Sequence, residues 1–93
     1  MPMRAYTLNG EHIHSLADLY DRLASGLSLP EHFGSNLDAL WDVLSTDVAG
    51  PFAIRWQHAA ASRKSMGRDF RRAVKLLQDL ERERDDFTLM IED

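Results

Sequence analysis

The sequence predicts a small α/β domain, a three-stranded parallel sheet packed by about four helices. Three observations carry that expectation. Strand-like segments lie near the start, the middle and the end of the chain, "RAYTLNG", "PFAIRWQ" and "FTLMIE", the middle one with alternating side chains. Stretches of helical periodicity fill both gaps between them, and strands joined by helical crossovers pair in parallel. The 93 residues, 44% of them apolar, match one domain with one modest core, since single domains commonly run to about 100–150 residues.

Each element has a local reason. Residues 4–10, "RAYTLNG", read as a short strand closed by an Asn-Gly turn. Ser15 offers an N-cap, and Asp18 lies three residues on, near the positive end of the helix that follows. Leu16, Leu19, Leu23 and Leu27 repeat at helical spacing, and Gly26 supplies a stop. The loop "SLPEHFG" is stiffened by Pro30. A second helix is expected from about Ser35 to Leu44, with Leu37, Leu40 and Leu44 as its core stripe. Residues 51–57 alternate Phe52, Ile54 and Trp56 against Ala53, Arg55 and Gln57, which is strand periodicity. A short helical piece is expected around Ala59–Arg63. A long helix follows from about Arg68 to Arg84, where Phe70, Ala73, Val74, Leu77 and Leu80 make one apolar stripe. "FTLMIE" (87–92) ends the chain as a strand. No repeat, linker or low-complexity tract interrupts residues 1–93, so a single domain is expected.

Composition narrows the function. Cysteine is absent, which excludes thiol catalysis, disulfides and Cys-rich zinc sites, and fits a reducing compartment. The first residues hold no apolar run long enough for a signal peptide, and nothing downstream approaches a membrane span, so a cytoplasmic location is expected. Four histidines (His12, His14, His32, His58) bring acid–base or metal chemistry to mind. His12 and His14 lack a third ligand at matching spacing, and no nucleophile motif or Gly-rich phosphate loop is present. The expectation is a protein that is not an enzyme, with no catalytic residue, metal or cofactor.

The net charge of −4 hides two poles. Residues 23–54 hold four acids (Glu31, Asp38, Asp42, Asp47) and no Lys or Arg. Residues 55–75 hold seven bases (Arg55, Arg63, Lys64, Arg68, Arg71, Arg72, Lys75) against one acid, Asp69. The acidic pole would attract a basic protein and the basic pole an anion. A nucleic-acid-binding module using 55–75 is therefore a rival reading. Against it stand the negative overall charge and the absence of a recognised binding motif.

On the second helix, at 100° per residue, Asp38 and Asp42 lie one above the other just beyond Trp41. Like charges at this spacing cost an isolated helix a few tenths of a kcal/mol. Asp42 is too far inside the helix to gain from its positive end, and no basic residue lies within a turn. From the residues alone two readings stay open: a solvated face with Trp41 in the core, or a surface that meets a cationic partner.

The stretch "LPEHFGSNLDALWD" (29–42) closely resembles the signature of the barstar family, intracellular inhibitors of barnase-type ribonucleases. The family's usual form is Leu-Pro-Glu-Tyr-Tyr-Gly-Glu-Asn-Leu-Asp-Ala-Leu-Trp-Asp. "LNGEHIHSLADLYDRL" looks like the family's first strand and helix, and "FTLMIE" like its last strand. The resemblance implies a protein that plugs a ribonuclease active site with its second helix and the loop before it, in a 1:1 complex with a basic, extracellular-type enzyme, without membrane or direct nucleic-acid contact. On that reading Asp42 is the central plug and Asp38 pairs with arginines on the enzyme's rim. Asn36 and the Gly34 backbone supply hydrogen bonds, the glycine allowing close approach. Trp41 gives apolar contact, and His32 and Phe33 stand where the family has two aromatic residues. Asp79 matches a family glutamate that reaches a further basic group, and Glu83 is a peripheral acid. The logic suits a ribonuclease, which must be cationic to hold RNA phosphates.

Three positions depart from the family's pattern. His32 replaces a tyrosine, Asp47 stands where a tryptophan is common, and Asp79 is one methylene shorter than glutamate. For Asp79 an ion pair with Lys75, four residues earlier, competes with the partner-binding role.

Overall fold

The structure, a computed structural model, describes residues 4–30 and 33–93. Three strands, β1 (Arg4–Asn9), β2 (Phe52–Gln57) and β3 (Phe87–Ile91), form one parallel sheet in the order β1-β2-β3. Helices α1 (Leu16–Gly26) and α2 (Leu37–Thr46) connect the first pair of strands; α3 (Ala59–Met66) and α4 (Arg68–Glu83) connect the second. The fold is the α/β arrangement expected from the sequence. Two crossovers of one hand that step in one direction put their helices on the same sheet face. Phe52, Ile54 and Trp56 of the central strand are fully buried, whereas Arg55 and Gln57 remain partly exposed. On that opposite face Arg55 Nε lies 3.4 Å from Glu92 Oε2.

The termini of the elements show which local rules governed. At α1 the Ser15 hydroxyl accepts from Asp18 N, and the Asp18 carboxylate accepts in return from His14 N at 2.9 Å. This reciprocal pairing satisfies two donors that the helix start would otherwise leave open. α1 does end at Gly26, but not through a left-handed glycine. A Cβ there would overlap the Tyr6 ring, so this glycine lets α1 lie close against β1. The positive φ falls at Ser28 instead.

α2 starts two residues later than expected, because Asn36 rather than the residue before it is the cap: its side chain accepts from Ala39 N at 2.8 Å. Its buried residues are Leu40, Val43 and Leu44. Val43 thus enters the stripe expected from Leu37, Leu40 and Leu44, while Leu37 moves to its half-buried edge.

After β1 the chain forms a short 3-10 turn, Gly10–His12, capped by Asn9, whose side chain accepts from Glu11 N at 3.0 Å. A Cβ on Gly10 would overlap the His58 carbonyl oxygen. The same region holds a buried relay: Trp56 Nε1 donates to Ser62 Oγ at 3.2 Å, and Ser62 donates to the Gly10 carbonyl at 2.8 Å. Trp56 therefore buries its ring without orphaning its N–H. α3 continues to Met66, past the expected Arg63, until Gly67 at φ 59° turns the chain into α4.

Arg84, on leaving α4, ties three segments together. It donates from Nη1 to the carbonyl of Leu44 (2.7 Å), which α2 leaves unpaired at its end, and to that of Val48 (2.8 Å) just beyond the helix. Its Nε and Nη2 reach the two oxygens of Asp86, both at 2.8 Å, and its guanidinium lies 5.0 Å from the Phe52 ring centroid. That bidentate bond holds the Asp86 carboxyl below its ordinary value. A Cβ on Gly50 would overlap the Asp86 carboxylate, so this glycine is required by close approach. On the free edge of β3, Glu81 Oε2 accepts from Leu89 N at 2.8 Å. No helix among the described residues is long and apolar enough to cross a membrane.

Candidate functional site

The loop before α2 is fixed at both ends. Pro30 O accepts from Phe33 N at 2.9 Å, and Phe33 packs edge-on against Tyr20 of α1, with ring centroids 6.0 Å apart. Burial pushes the Tyr20 phenol up from its ordinary value, with Arg72 acting in the opposite direction. The aromatic anchor is thus uncharged at neutral pH. Gly34 is exposed, its φ is not positive, and a Cβ on it would make only ordinary contacts with Asn36 and Ala39. Nothing among the described residues requires a glycine there. His32, the other loop residue singled out in the sequence, lies outside the described residues.

Asp42 borders a shallow hollow of about 180 Å³ lined by Pro30, Phe33, Gly34, Ala39, Thr46 and Asp47 among others. Thr46 Oγ1 lies 2.6 Å from the Asp42 carbonyl, so the backbone there is held. The Asp42 carboxylate is exposed and has no hydrogen bond or ion pair among the described residues. The lining of this hollow contains no Lys or Arg. Among the described residues, no base compensates the charges at this end.

A second depression, about 340 Å³, runs between α2 and α4. Leu37, Asp38 and Trp41 form one wall, and Arg72, Lys75, Leu76 and Asp79 the other. Asp38 is exposed and Trp41 half-buried, with Trp41 resting on the core. The structure therefore brings Asp79 beside Asp38 and Trp41, although 40 residues of chain lie between the two acids. It also supplies what the helix alone lacked: Arg72 and Lys75 arrive from α4 to share the groove with Asp38. Asp79 itself is engaged, with Lys75 Nζ 3.2 Å from its Oδ2 and Arg82 on its Oδ1. Glu83 is exposed one turn further on and lines neither hollow.

Arg72, Lys75 and Leu76 were not singled out from the sequence as part of this face. They share the 72, 75, 76, 79 spacing of one helix side, so the signal was there once Asp79 was in view. Four of the seven bases of 55–75 lie beside carboxylates. Arg55 lies on the sheet near Glu92, Arg63 pairs with Asp93, Arg72 with Asp69 and Lys75 with Asp79. Lys64, Arg68 and Arg71 have no carboxylate partner among the described residues. His58 Nε2 sits 3.9 Å from Glu11, and no group of three His, Asp or Glu residues suited to a metal occurs among the described residues.

Fold and face together define a class: a small parallel α/β protein with an exposed acidic helix beside an anchored loop. The chain belongs to the Barstar (barnase inhibitor) family, whose model matches residues 3–92. It is also 30% identical over 91 residues to a Bacillus subtilis (strain 168) protein named "Putative ribonuclease inhibitor YrdF", covering 97% of this chain and 100% of that one.

Proposed function

We propose that the protein inhibits a cationic, barnase-type ribonuclease by seating α2 and the preceding loop in the enzyme's active site, in a 1:1 complex. It acts by binding and carries out no reaction of its own. The observation that carries this reading is Asp42: an exposed carboxylate, without an internal partner among the described residues, at the base-free end of the face. A ribonuclease site is built to attract phosphate, and a fixed carboxylate offers the same charge without a scissile bond. Asp38 meets cations on the enzyme's rim, and Trp41 and Phe33 give apolar contact. Gly34 supports the reading independently, since the fold leaves room for a side chain there and close approach of a partner does not. Asn36 spends its side-chain oxygen on the helix cap, which leaves its amide N–H groups for a partner. Asp79 offers a further carboxylate from α4, and Glu83 a peripheral one outside both hollows.

The experiment is a titration of the purified protein into a barnase-type ribonuclease while RNA cleavage is followed. Activity should fall to zero at one equivalent, and raising the RNA concentration should relieve the inhibition. Full cleavage in the presence of excess protein, across a panel of basic ribonucleases, would dismiss the proposal.

A further inference from the structure

The two ends of the α2–α4 face differ electrically. Around Asp42 the described residues include acids and no Lys or Arg. At the Asp79 end cations are close by: Lys75 takes one carboxylate oxygen, Arg82 the other, and Arg72 and Lys75 line the wall opposite Asp38. The Asp79 side chain is only one-third exposed, while Lys75 and Arg82 are 75% and 72% exposed. The carboxylate is therefore the sheltered member of the cluster and the cations are what an approaching surface meets first.

We infer that Lys75 and Arg82 are specificity-determining residues, which mask Asp79 in the free protein and set how much positive charge the groove accepts from a partner. The inference rests on the proposed inhibitory face and deepens it. A partner cation directed at Asp79 must displace Lys75 or Arg82, or sit beside them at the cost of like-charge repulsion. A partner whose surface is neutral there, or places an acid against Lys75, meets no such obstacle. The two cations thus discriminate among ribonucleases that share the same cationic centre and differ at the rim. Asp42, outside the reach of this cluster, supplies attraction common to all of them.

The test is a double-mutant cycle on binding to one barnase-type ribonuclease, with Asp42→Ala as the control for the face itself. Asp79→Asn is made in the natural background and again in Lys75→Gln, Arg82→Gln. The side chains replaced by glutamine are exposed, so the variants retain the fold, which circular dichroism and thermal melting verify. In the natural background Asp79→Asn should change the affinity less than about twofold, since exposed or already paired charges contribute little. In the double-glutamine background, freed of its cations, the same change should cost about fivefold or more. Lys75→Gln, Arg82→Gln alone should tighten the complex. Equal effects of Asp79→Asn in both backgrounds, or weaker binding on removal of the cations, would overturn the inference while a large loss from Asp42→Ala kept the inhibitory face intact. Indifference to Asp42→Ala would remove the face, and the inference with it.

Discussion

Removing the Asp42 carboxylate should separate binding from folding, because that group contacts the enzyme in the proposed complex and has no internal partner among the described residues. Asp42→Ala should weaken inhibition by several kcal/mol, central charged residues reaching about 4–8 kcal/mol on truncation, a range that includes the barnase–barstar pair itself. The melting temperature should stay level or rise slightly, since a carboxylate four residues from Asp38 is gone. Calorimetry of the variant alone and with the enzyme checks both halves. Asp86 behaves in the opposite way. Its bond to Arg84 favours the ionised form in the folded state, so its contribution is complete above the ordinary value of 3.8 and is lost as pH falls through the lower folded value. Asp86→Asn should therefore lower the melting temperature at neutral pH, and the gap to the natural protein should close as the pH falls below about 4. These two aspartates look alike in the sequence. Asp42 could be singled out because its neighbours form a recognisable signature; Asp86 could not, since the carbonyls that hold its partner Arg84 and the glycine that makes room for it come from distant segments.

At the scale of elements, the most consequential contact joins the end of α2 to the start of β3 through Arg84. Its side chain is 15% exposed and serves two carbonyls, a carboxylate and an aromatic face at once. Arg84→Ala leaves those carbonyls and Asp86 without their donor, and should destabilise the protein by about 2–4 kcal/mol in chemical denaturation. Arg84→Lys should recover only part of this, because an ammonium cannot make the planar two-pronged bond. The order and type of the elements were legible because period-2 and period-3.6 patterns, Ser15 and Pro30 all agreed with the final fold. Their ends were less so. α2 begins where Asn36 can bond Ala39 N, and α3 runs to Met66 because Gly67 is the first residue that turns easily into a left-handed conformation. Neither the Gly10 close approach nor the Ser62 relay has a local pattern, since both depend on segments about 50 residues apart meeting. The face was legible in part for the same reason. Phe33, Gly34, Asn36, Asp38, Trp41 and Asp42 lie together in sequence, whereas the groove wall of Arg72, Lys75 and Leu76 is built by packing α4 against α2.

Taken as a whole, the molecule measures 34 × 27 × 21 Å, several times the screening length of about 8 Å at physiological salt. In the proposed complex an enzyme approaching α2 meets the exposed Asp38 and Asp42 together with the Arg72 and Lys75 side chains that α4 brings to the groove. Association measured by stopped flow should slow steeply as salt rises above physiological strength, while dissociation changes little. As salt is lowered the association rate should climb, since screening extends to about 30 Å near 0.01 M. A rate independent of salt would remove steering from the account. The free border of β3 bears on a different matter. A parallel sheet of three strands has two open borders, and an open border is a template onto which another chain can add. By holding the Leu89 amide, Glu81 takes one of the donors such an addition would use and places a negative charge over it. Another copy that tried to extend the sheet at this border would find that bonding position already filled, which works against edge-to-edge stacking into fibres.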